Sequence, residues 1–103
     1  MRLPDLLLAA LAAAAICDPV AAQDRQAGLA LARRVCADCH AVERFQAPSS
    51  NPRAPTFQQL ASTPGMTGAA LSVAFATPHA GMPMFRLAPE QADDLITYIL
   101  SLR

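Results

Sequence analysis

The segment Cys36-Ala37-Asp38-Cys39-His40 constrains this chain more than any other part of it. Its C-x-x-C-H spacing is the one that covalent haem attachment requires. On one helical turn, cysteines at i and i+3 and a histidine at i+4 leave the same face of the backbone. Two thiols so placed can add across the two vinyl groups at one edge of a porphyrin, while the imidazole gives a ring nitrogen to the iron. The segment then anchors one flat cofactor three times.

Three other readings of this spelling compete. Thiol-disulfide exchange needs an activated thiolate, usually in a strand-helix-strand setting, and no strand-like run precedes Cys36. Tetrahedral zinc needs four ligands; Cys36, Cys39 and His40 supply three, and the other histidine, His79, stands far off without a second Cys or His beside it. A chance cluster in a helical core would have to explain why both cysteines outside the N-terminal stretch fall here. Haem attachment is the reading the residues favour.

The N-terminus reads as a secretory leader. Arg2 precedes an apolar stretch over residues 6–16, and Val20-Ala21-Ala22 offers small residues at the third-last and last places of a signal-peptidase site. Residues 1–22 are therefore expected to be removed and residues 23–103 to form one domain in the periplasm. The apolar stretch is about half the ~20 residues a membrane span needs. Cys17 lies inside this leader, preceded by Ile16, a poor neighbour for a lipidation site, so removal with the leader is favoured over a lipoprotein or anchored form. Eight basic and eight acidic residues balance, which excludes a polyelectrolyte partner such as nucleic acid. The chain has no lysine, so a docking surface must be built from arginine or apolar contacts.

Four Phe and one Tyr make a thin core, and domains of this size often depend on a metal or a covalent staple. A haem would supply the missing apolar bulk, and the apo chain is expected to be largely unfolded. Apolar spacing predicts a helix from Gln23 to Cys36, capped by Asp24, with Gly28, Leu31, Ala32 and Val35 on one stripe. Gly28 in such a helix signals close approach of another backbone. Residues 41–55 lose periodicity and carry Pro48, Pro52 and Pro55, which predicts a loop. Short helices follow near residues 56–61 and 68–76, the second capped by Thr67 and ended by Thr77-Pro78. The last helix opens at Pro89 with a poor cap, Ala88, and runs to Leu102 with Ala92, Leu95, Ile96, Ile99 and Leu102 inward.

Between the last two helices lies His79-Ala80-Gly81-Met82-Pro83-Met84-Phe85. Pro83 holds Met82 in extended backbone, from which a thioether can drape over a ring face. Opposite histidine, such a soft ligand raises the potential of haem iron. Met82 is the favoured sixth ligand; Met84 and His79 are the alternatives, and either methionine could instead fill a core gap.

Taken together, these residues resemble the class I c-type cytochromes, the small bacterial monohaem kind, over essentially all of residues 23–103. The resemblance rests on Gly28 eight places before Cys36, on the Cys36–His40 motif, and on Met82-Pro83 followed by Phe85, Leu87 and the helix around Leu95 and Tyr98. It implies an all-α cytochrome c fold, three to four short helices wrapped around one covalent haem c. The first and last helices would cross at Gly28, with Leu95 and Tyr98 in the contact, although Ala32 stands where the family commonly has an aromatic residue. Pro55 would be the residue whose carbonyl orients His40, with Pro52 as alternative. The implied function is non-enzymatic: single-electron transfer by a monomer between redox proteins such as a dehydrogenase, a cytochrome bc-type complex or an oxidase, with peripheral membrane contact. The rivals are a five-coordinate haem protein that binds a gas or peroxide, and a haem subunit fixed in a dehydrogenase complex.

Overall fold

Four helices carry the fold: α1 (Val20–Val35), α2 (Phe57–Ser62), α3 (Gly68–Ala76) and α4 (Pro89–Leu100). They are seen in a computed structural model that describes residues 20–46 and 48–103. Cys17 and most of the expected leader lie outside the described residues. Among the described residues there is no strand, and no helix is long and apolar enough to cross a membrane.

Two helix boundaries differ from the sequence expectation. The described part of α1 begins at Val20, so Asp24 lies within the helix and not at its N-cap position. Alanines 21 and 22 are strong helix formers and extend the pattern backwards. At the other end α1 stops at Val35, one residue short of Cys36. There the carbonyl of Ala32 accepts from both Cys36 N (2.9 Å) and Ala37 N (3.0 Å), which widens the last turn and ends the helix. The C-x-x-C-H residues form their own turn instead, closed by His40 N donating to Cys36 O at 2.9 Å.

The main crossing is between α1 and α4. A Cβ placed on Gly28 would lie 2.1 Å from the backbone oxygen of Asp94 and 2.7 Å from Tyr98 Cβ, so the two helices touch through backbone. Leu95, Tyr98 and Ile99 of α4 are buried beside Leu31 and Ala32 of α1. Ala32 is fully buried, so the missing aromatic leaves no exposed gap. The Tyr98 hydroxyl donates to the Val42 carbonyl at 2.5 Å, tying α4 to the chain just after His40.

Local chemistry explains the smaller elements. Thr56 and Gln59 form a capping box at the start of α2 (Gln59 N to Thr56 Oγ1 3.0 Å, Thr56 N to Gln59 Oε1 2.9 Å). Thr67 caps α3 through Ala70 N at 3.1 Å. Ala88 gives α4 no side-chain cap, but Gln91 reaches back to Ala88 N at 2.9 Å and supplies half of the capping box. At the far end α4 tightens into a turn at Ser101, short of the expected Leu102, and Leu102 is buried all the same. Arg44 donates there to the carbonyls of Ser101 (2.5 Å) and Arg103 (3.1 Å), bringing a cation to the helix C-terminus from the loop.

Residues 41–55 form the expected loop, and side chains pin it. Buried Ser49 accepts from Ala41 N at 3.0 Å, and Gln46 Oε1 accepts from Val42 N and Glu43 N, both at 3.1 Å. Asn51 N donates to Cys39 O at 3.1 Å, so the loop returns alongside the cysteine-histidine turn.

Candidate functional site

A cavity of about 870 Å³ opens between the Cys36–His40 turn, the loop 51–55, helices α2 and α3, and the loop that joins α3 to α4. Cys36, Cys39, His40, Pro55 and Met82 all border it, although they come from three separate stretches of chain. Phe57, Leu60, Leu71, Phe75 and Ile99 give it apolar walls. Apolar lining with a few converging donors is what a flat, largely hydrophobic cofactor needs.

His40 is oriented before any ligand arrives. Its Nδ1 lies 2.7 Å from the carbonyl oxygen of Pro55, and a carbonyl can only accept. The proton therefore sits on Nδ1, which leaves the Nε2 lone pair free to bind a metal. The carbonyl belongs to Pro55 and not to Pro52. Phe57 packs against the imidazole at a ring-centroid distance of 5.4 Å and limits its rotation.

Neither cysteine is in a disulfide. Burial pushes the Cys36 thiol up to about 11, so it carries almost no thiolate at neutral pH. That is the reverse of what disulfide exchange requires, where the attacking thiol is depressed toward neutrality. No group of three or more His, Cys, Asp or Glu side chains among the described residues converges to hold a metal ion, which weighs against zinc.

Met82 is half-buried and borders the large cavity, whereas Met84 is 54% exposed and does not. Met82 ends a tight turn that starts at His79: Met82 N donates to His79 O at 3.1 Å, with Gly81 at φ 77° inside the turn. Glycine takes that left-handed conformation without penalty. His79 is exposed but borders the same cavity. Sequence reasoning missed two polar members of the lining, Asn51 and Arg53. They lie in a loop without periodicity, where no spacing marks which side chains turn inward.

Residues 26–103 match the Cytochrome c family. The chain is 38% identical over 93 residues to cytochrome c-552 of Bradyrhizobium diazoefficiens, covering 90% of this chain and 88% of that protein. No solved structure matches it. The chain belongs to the cytochrome c family: it is a small class I c-type cytochrome with an all-α fold, whose cofactor is covalently bound haem c with its iron. Electron carriage between redox partners is the activity of this class.

Proposed function

We propose that this cytochrome is a free periplasmic monohaem carrier, exported by a leader over residues 1–22 and working as a monomer with peripheral membrane contact. Cys36 and Cys39 would hold the haem as thioethers, and His40 Nε2 and the Met82 sulfur would be the two side-chain ligands of its iron. Its donors and acceptors are a dehydrogenase, a cytochrome bc-type complex or an oxidase. The observation that carries the reading is the cavity, where an imidazole with its Nδ1 already engaged shares one wall set with both cysteines and one methionine.

Bound there, the haem iron supplies a one-electron couple, Fe(III)/Fe(II). The chain's own residues keep that exchange simple. The Pro55 carbonyl fixes the tautomer and angle of His40, so the imidazole does not swing between oxidation states. The turn around Gly81 and Pro83 holds Met82 at the cavity. Two ligands held in this way need little rearrangement when an electron arrives, and the open side of the cavity serves partners that dock briefly over a small interface.

Intact mass and an optical spectrum of the protein matured with haem-attachment machinery test this. The mass should equal residues 23–103 plus one haem. The ferric protein should show an iron-thioether charge-transfer band, and the ferrous protein should not bind carbon monoxide. Carbon monoxide binding by the native protein would instead make it a five-coordinate gas binder. Purification only within a larger complex would make it a dehydrogenase subunit.

A further inference from the structure

We infer that His79 is a second distal ligand for the haem iron, held beside Met82 and taken up when the thioether leaves. The inference rests on the axial role given to Met82 above. Residues 79 and 82 form an isolated antiparallel bridge closed by the Met82 N to His79 O hydrogen bond. Side chains of a directly facing antiparallel pair leave the same face, with Cβ atoms roughly 4.5–5.5 Å apart. Both residues border the same cavity. A nitrogen donor and a sulfur donor are thus carried on one turn and directed to one space.

The imidazole is available for this. Among the described residues no group hydrogen-bonds to the His79 ring, whereas His40 Nδ1 is engaged by Pro55. The turn has room to shift, because an added Cβ at Gly81 would meet nothing within 4 Å. Composition narrows the choice of nitrogen donor to one. The chain has two histidines and no lysine, so with His40 on one side of the iron, His79 is the one other side chain that offers a neutral nitrogen.

The arrangement has a use in an oxidising compartment. Hydrogen peroxide transfers one oxygen atom to a methionine sulfur, giving a sulfoxide and water, and the sulfoxide is a polar, harder ligand. With His79 on the same turn, loss of the thioether leaves the iron six-coordinate and closed to small gases. The protein then stops carrying electrons at its working potential and does not become a gas binder.

The test uses holo protein with haem attached: wild type, His79→Ala, Met82→Ala, Met82→Leu, and each Met82 variant combined with His79→Ala. Met82→Leu keeps an apolar side chain in case Ala disturbs the fold. His79→Ala alone should keep the thioether band. Both Met82 variants should lose that band yet remain low-spin with a bis-imidazole electron paramagnetic resonance signal. Adding His79→Ala should turn them high-spin and raise carbon monoxide affinity by at least about tenfold, as expected when the closed form holds nine-tenths of the population. If the single Met82 variants already match the double variants, whether high-spin or low-spin, His79 is not a ligand. A wild type without the thioether band would remove the Met82 reading itself, a result visible before any variant is made.

Discussion

Replacing Gly28 by alanine should destabilise the holo protein, although helix propensity predicts the opposite. In an unconstrained helix the change gains ~0.5–1 kcal/mol. Here the new methyl would lie 2.1 Å from Asp94 O, 2.7 Å from Asp94 C and 2.7 Å from Tyr98 Cβ. Carbon and oxygen normally approach no closer than about 3.3 Å, so α1 and α4 must part by about an ångström. The opposing atoms are two backbone atoms and a Cβ, so no rotamer change relieves the contact. A gap of that size forfeits about a quarter to a half of the dispersion attraction across the seam. Overpacking in well-packed cores costs ~1–3 kcal/mol, and backbone contact places this site at the upper end. Subtracting the propensity gain leaves a net loss of ~2 kcal/mol. For a domain of this size that lowers Tm by about 8–16 °C. Thermal unfolding of wild type, Gly28→Ala and Ala30→Gly decides it. Ala30 is exposed on the same helix, so its change to glycine should cost only the ~1 kcal/mol of propensity. A Gly28→Ala protein with a raised Tm would show that the helices do not cross at this glycine.

Met82→Ala should keep the haem attached and lower the reduction potential, by ~60 mV for each ~1.4 kcal/mol of lost preference for Fe(II); Met84→Ala should leave the potential unchanged in the same voltammetry. Replacing both Cys36 and Cys39 by Ala should leave no haem in the intact mass and a chain with little helical circular dichroism. Tyr98→Phe should cost ~1–3 kcal/mol in guanidinium unfolding at pH 7, because the Val42 carbonyl loses its buried donor. Burial first, then the charge of Glu43, raises the Tyr98 phenol against the opposing Arg33 and Arg44. A raised folded value favours the neutral phenol, so this contribution is full below ~pH 10 and is lost as pH rises through the folded value. The Phe variant should lose that alkaline dependence, and a wild type with flat stability above pH 10 would refute the assignment.

The fold was legible wherever spacing carries the signal. Apolar stripes placed α1 and α4, Thr67 marked the start of α3, and the one glycine in the first helix marked the crossing. What stayed hidden depends on contacts between segments distant in sequence. Nothing in the order of residues says that Arg44 caps α4, or that Gln46 folds back onto Val42 and Glu43. The start of α1 was misread because Asp24 is a good cap, yet the alanines before it continue the helix in the full-length chain. Pro55 could be separated from Pro52 only by three-dimensional placement, since both precede α2 in the same unpatterned loop. Met82 and Met84 are two positions apart and chemically identical; their exposure separates them.

The cavity bears on the expectation that so small a core depends on its cofactor. Phe57 of α2, Leu71 of α3 and Ile99 of α4 belong to the buried core, and the same three side chains line the cavity. The cavity is open on one side, so without haem its space of about 870 Å³ fills with water against largely apolar walls. Small domains have ~5–15 kcal/mol of stability in total, so apolar surface left wet at Phe57, Leu71 and Ile99 weighs heavily on the fold. Since Ile99 lies next to Tyr98 at the α1–α4 crossing, that effect reaches the seam at Gly28 as well. The proposed attachment through Cys36 and Cys39 would then do more than retain a cofactor, because a covalently held haem cannot dissociate and leave these walls to water.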